Sequence, residues 1–167
     1  MPAKATIERA RRDKRQGKSA STQAGEFIHD EIKRIRKGEH GARNAKQAIA
    51  IGLSEARRAG VKLPPPKKGK VSEKTRQQAA RDTKKGEKHT PVSANRSRAR
   101  VRALKRESTS AASPHALSRQ AHSAAKRRTA ADRSAAAKKA ARTKGPRTRS
   151  AAARKAARTR KAKSYNR

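Results

Sequence analysis

The fold class that the sequence predicts is all-α: a small helical hairpin, about 25–38 and 45–59, carrying a long, largely disordered basic tail of transient helices. Three observations predict it. Large apolar residues recur at helical spacing in one stretch only, Phe27 to Leu63, which holds nine of the chain's seventeen Val, Ile, Leu, Met, Phe and Tyr residues. Glycine and proline punctuate that stretch at Gly38, Gly41, Gly60 and Pro64–Pro66. From Pro64 onward, 104 residues carry six large apolar side chains, 33 basic residues and 5 acidic ones, a net charge of +28 that no core offsets.

The first firm helix is expected over about Gly25 to Lys37. Ile28, Ile32 and Ile35 follow i, i+4, i+7 and share a face. Glu26, Asp30 and Glu31 lie in what would be its first two turns and Lys33, Arg34, Arg36 and Lys37 in its last, an order that suits the helix dipole. After the KGEHG turn, Asn44 with Gln47 three residues on reads as a capping box for a second helix, Ala45 to Ala59. There Ala45, Ala48, Ile49, Gly52, Leu53, Ala56 and Ala59 form one stripe of about 140° at about 100° per residue. Small residues on that stripe let another helix approach closely. Ile51 lies off it, exposed or against a partner. Gly60 is the expected C′ residue, with Val61 and Leu63 folding back before the prolines. The candidate hairpin core is therefore Ile28, Ile32, Ile35, Ile49 and Leu53. Nine large side chains against about 40 ordered residues make such a hairpin marginal alone, so self-association or nucleic acid is an expected support.

The flanks read differently. Residues 1–22 are expected to be a flexible basic N-terminal arm, its one helical candidate (Ile7 to Gln16) fraying for want of anchors, and 23–63 to be the hairpin domain. In the tail, 64–167, PPPKKGK reads as a stiff linker, SEKTRQQAARDTKKGEKH as transiently helical, and Ser93 to Glu107 as its best helical prospect. The last third holds a 12-residue repeat: RSAAAKKAARTK at 133–144 and RSAAARKAARTR at 149–160 match at ten of twelve positions and differ only by Lys/Arg exchange. Ala-rich units of this length favour helix but are too short to hold it alone in water.

Charge then points to a partner. Forty-nine Lys and Arg against twelve Asp and Glu leave +37 on 167 residues, which calls for a polyanion. Thirty-five of the apolar residues are alanine and contribute little burial. The absence of cysteine excludes a disulfide framework and thiolate zinc sites. No apolar run approaches a membrane span and MPAKATIERARRDKR lacks the apolar middle of a secretory signal, so a cytoplasmic, nucleoid setting is expected, with no membrane partner.

The expected mechanism is neutralisation of phosphates with release of counterions, which needs many cations and no fixed geometry. Tyr165 is the one aromatic residue outside the hairpin, so base stacking is nearly absent and duplex DNA is favoured over RNA. The candidate DNA-binding residues are Lys126, Arg127 and Arg128, then the repeat cations Lys138, Lys139, Arg142, Arg154, Lys155 and Arg158. His29 and His40 have no recognised ligand spacing and read as solvated, so no metal and no cofactor is expected. Phosphate-loop, dinucleotide and nucleophile-elbow motifs are absent, and no histidine is spaced to serve Ser54, so neither an enzyme nor a small-molecule substrate is expected. Two rivals share the charge evidence: an RNA or ribosome-associated protein, and a hairpin that binds a protein while the tail localises it.

At Arg43 to Gly60, RNAKQAIAIGLSEARRAG, the chain resembles a short, functionally uncharacterised bacterial domain typified by a K-Q-A-I-A-I-x-L-S-E-A-R core, here Lys46 to Arg57, after a Gly-containing turn and a helix of the HDEIKRIRKGEHG kind. The resemblance covers about residues 25–63. It implies a small, basic, DNA-associated or plasmid-linked protein and assigns no activity. The tail is similar in composition to the Ala/Lys/Arg-rich tails of linker histones and bacterial histone-like proteins.

Overall fold

A computed structural model describes residues 3–69, 71–88 and 93–165. Lys70, at the end of PPPKKGK, and His89, at the end of the segment read as transiently helical, lie outside them. Among the described residues the elements are α1 (Lys4–Arg15), α2 (Ala20–Arg36), α3 (Ala45–Arg58), α4 (Glu73–Glu87), α5 (Ala94–Leu104), a 3-10 turn (Thr109–Ala112), α6 (Pro114–Lys126) and α7 (Ala130–Tyr165), with no strand. The chain divides into two compact units, 1–120 and 121–167.

Unit one is organised by α2 and α3. The Asn44 side chain accepts from the Gln47 N–H at 3.0 Å, and Gln47 Oε1 in turn accepts from the Arg43 N–H at 2.8 Å, so the expected capping device forms with its return bond one residue earlier. α2 starts five residues before its expected position. Ser19 caps it, accepting from the Thr22 N–H at 3.4 Å, and the added turn buries Gln23 and Ala24. Both helices end in a Schellman turn. Gly38 (φ +76°) and Gly60 (φ +87°) take the left-handed position, and the N–H groups of Glu39 and Val61 reach back to the carbonyls of Arg34 and Ala56 at 3.1 Å each.

The two helices meet across small residues, as the stripe predicts. A Cβ on Gly52 would lie 2.7 Å from the Ile28 Cα, so this approach excludes any larger residue there. One apolar cluster joins Ile32, Ile35, Ala42, Ala48, Ala111 and Ala112, with Ile28 and Leu117 packed on it. The other joins Ala10, Ala24, Phe27, Ala56 and Val61, with Ile7, Leu53 and Leu63 around it. Of the expected core, Ile32 and Ile35 are buried, Ile28 and Leu53 are half-buried at the edges of these clusters, and Ile49 is half-buried and belongs to neither. Among the described residues Phe27 is the largest fully buried side chain.

Three expectations are corrected here. Residues 1–22 are not a flexible arm: α1 packs on α2, burying Thr6, Ala10 and Asp13, with the Lys18 ammonium 2.7 Å from the Asp13 carboxylate. Unit one does not end at Leu63. α4 packs on α3, and the 3-10 turn packs on both α2 and α3. The faces that a bare hairpin leaves open are thus covered by segments in which alanine and glycine, rather than large apolar residues, make the contact. Finally, the tail is helical over most of its length instead of disordered.

Unit two holds the end of α6 and all of α7. Thr129 and Asp132 open α7 with a reciprocal capping box, the Asp132 N–H donating to Thr129 Oγ1 at 3.1 Å and the Thr129 N–H to Asp132 Oδ2 at 3.4 Å. Gly145, at φ +67° and ψ 166°, interrupts the helix and Pro146 follows it. Proline at the start of a helical segment loses no bond that would otherwise form, so the second segment begins there. The break falls between the two copies of the repeat. Each copy makes the same local bond, Thr143 Oγ1 to the Lys139 carbonyl at 2.9 Å and Thr159 Oγ1 to the Lys155 carbonyl at 3.0 Å.

Candidate nucleic-acid interface

The repeat cations fall into two matching triads. At about 100° per residue, Lys138, Lys139 and Arg142 share one face within about 100°, while Ala136, Ala137, Ala140 and Ala141 lie opposite. Arg154, Lys155 and Arg158 repeat that face beyond Gly145, opposite Ala152, Ala153, Ala156 and Ala157. All six cations are exposed. Lys126 ends α6, and Arg127 and Arg128 form the turn into α7; Arg127 donates to Ser123 Oγ at 3.2 Å, and the Arg128 carbonyl accepts from Arg133 at 2.9 Å. Unit two carries seventeen basic residues and one acidic residue, Asp132, over 47 residues. One carboxylate cannot answer seventeen cations, so the counter-charge must come from outside the unit.

Unit one treats charge differently. Among the described residues, eight of its eleven acidic residues sit in ion pairs with its own cations. Around Arg34, the carboxylates of Glu39, Glu31 and Glu55 lie at 3.1, 3.4 and 3.6 Å, and His40 Nε2 is 3.5 Å from Glu31. Glu31 is fully buried and its Oε1 has no hydrogen-bond partner. Burial pushes its carboxyl above the ordinary glutamate value, reinforced by Glu55 and Asp30 and opposed by His40 and Arg34. On α4, Asp82 accepts from Ser54 Oγ at 2.7 Å, Arg58 Nε at 2.8 Å and Gln78 Nε2 at 3.1 Å. Burial alone would raise its carboxyl; these three donors and the Arg58 charge outweigh it and hold the group below the ordinary aspartate value.

These networks correct two sequence readings, of Glu31 and His40, and add a partner for Ser54. Glu31 is not a charge at a helix N-terminus, because α2 begins eleven residues before it. His40 is not solvated: it is buried against Glu31, and its Nδ1 lies 3.1 Å from the Gly41 carbonyl. Ser54 commits its hydroxyl to Asp82, a link across 28 positions that no local spacing announces. His29 is exposed, and among the described residues no group of three His, Cys, Asp or Glu is placed to hold a metal ion.

The fold and the charge distribution define a class: a strongly basic, all-α protein with one packed helical unit and one repeat-bearing cationic helix. Residues 2–68 are similar to a family of unknown function (DUF6496), a span covering α1, α2 and α3. No curated protein and no solved structure matches the chain. No described helix is long and apolar enough to cross a membrane.

Proposed function

We propose that this is a non-enzymatic, histone-like DNA-binding protein of low sequence specificity, nucleoid-associated in the cytoplasm, acting through phosphate neutralisation. One observation carries the reading: the two repeats present matching exposed triads, Lys138, Lys139, Arg142 and Arg154, Lys155, Arg158, on a unit with one carboxylate. Duplex DNA carries a phosphate charge every ~1.7 Å along its axis, so a triad within one to two helical turns meets several charges without any register. No aromatic side chain lies on either triad's face, which leaves the backbone rather than the bases as the target.

Competition binding tests this. Fluorescence anisotropy with the full chain should give affinities within about threefold for duplexes of unrelated sequence. Structured RNA and polyphosphate, added as competitors at equal phosphate concentration, should displace the duplex no better than unlabelled duplex does. A tenfold preference for RNA would replace this reading with an RNA-associated one, and a tenfold preference among duplexes would show that bases are read.

A further inference from the structure

We infer that α5 is a second, separate duplex-binding surface, so that one copy of the chain holds two DNA segments, one on each unit. This rests on the DNA-binding reading above. α5 displays Arg96, Arg98, Arg100 and Arg102, all exposed, and Lys105 and Arg106 follow it. No acidic residue occurs between Glu87 and Glu107, so the charge along this segment is of one sign.

Arg96 and Arg100 are one turn apart on one side of the helix, and Arg98 and Arg102 are one turn apart on the other. Like charges at that spacing repel and oppose the helix that carries them. Nor does burial compensate, for Leu104 is its one buried residue and Val101 stays exposed. An eleven-residue helix with so little packing is marginal in water, and a polyanion that neutralises both arginine pairs removes the opposing term. Arg98 also donates to Asn95 Oδ1 at 2.6 Å, a neutral partner that leaves its charge unanswered.

The helix is nevertheless fixed to its unit at one end. The Leu104 and Ser108 carbonyls accept from the N–H groups of Gly41 and Ala42 at 2.9 and 3.0 Å, Arg36 Nε donates to the Ala112 carbonyl at 2.8 Å, and a Cβ on Gly41 would overlap the Glu107 carbonyl. The arginines therefore belong to unit one, whereas the repeat triads belong to unit two. Two cationic surfaces on two units can engage two duplexes at once. The absence of Trp and Phe from α5 argues against a lipid surface as its occupant.

A bridging assay tests the proposal: a duplex fixed to beads, a fluorescent duplex in solution, and capture of the second by the full chain. The R96Q/R98Q/R100Q/R102Q variant should capture at least tenfold less while binding a single duplex within about threefold of the parent. Replacing the same four arginines by lysine should restore capture, which separates charge from folding. Undiminished capture by the glutamine variant, as two self-associated copies bridging through unit two would give, overturns the inference; so does loss of capture in the lysine variant. If the parent binds no single duplex, the proposed function itself fails, a result distinct from either.

Discussion

The two units are built from the same few residue types and put them to opposite uses. Unit one has 32 basic and 11 acidic residues over 120 positions, and most of its carboxylates are folded into contacts with its own arginines, lysines and His40. Unit two has almost no carboxylate and points its cations outward. Alanine differs in the same way. In unit one Ala42, Ala48, Ala56 and Ala112 are fully buried where helices come close; in α7 alanine sustains the helix and is exposed at nearly every position. Charge answered inside the chain stabilises a fold, and charge left unanswered needs a partner.

The largest expected effect lies in unit one. Phe27→Ala should cost about 4 kcal/mol, because truncating a fully buried aromatic side chain leaves a cavity in the packed unit. Thermal denaturation followed by hydrogen exchange should show the loss in α1 to α3 and not in α7. Equal losses in both units would break the comparison.

Next comes Asp82, which ties a segment that sequence places in the tail to the packed unit. Asp82→Ala strands Arg58 and frees Ser54, with an expected cost of about 3 kcal/mol. Amide exchange in α4 should rise toward the rate seen in α7. Unchanged protection would mean that the small-residue contacts, including the close approach of Gly86 to the Arg57 carbonyl, hold α4 alone.

How legible was this in the sequence? The α2–α3 pair was, down to the α3 cap and both closing glycines but not the first turn of α2, because those devices act between residues three to six apart. The attachment of α4 and of residues 104–112 was not. It depends on Asp82 meeting Ser54 and Arg58, and on Gly41 meeting Glu107, which are contacts between residues 24 to 66 positions apart that carry no periodic apolar signal. From sequence α1 looks frayed because Ile7 is its single large apolar residue, while its actual packing uses Thr6, Ala10 and a buried Asp13 paired with Lys18. The repeat triads were legible as residues, and only the helix gathers each of them onto a single face.

The smallest expected effect is on pH dependence. Glu31 has a raised carboxyl in the folded unit, so the fold binds its proton more readily than the unfolded chain does; stability falls as pH rises from about 4.3 through the raised value. Asp82 has the opposite sign: its contribution is present above about pH 3.9 and is lost as pH falls through its depressed value. Glu31→Gln should therefore flatten the decline on the alkaline side of about pH 4.3 and leave the acid limb unchanged, as read from denaturation midpoints across pH. An unaltered profile would show that Glu31 does not bear the cost of burial.

The difference between the units is tested most directly by the salt dependence of binding to duplex DNA. For the full chain, log K should fall linearly with log salt, and replacing Lys138, Lys139, Arg142, Arg154, Lys155 and Arg158 by glutamine should reduce that slope by about 5, at about 0.9 per phosphate contact. A slope unchanged by the six substitutions would contradict the account, because the cations that unit two displays would then not be the ones that meet phosphate.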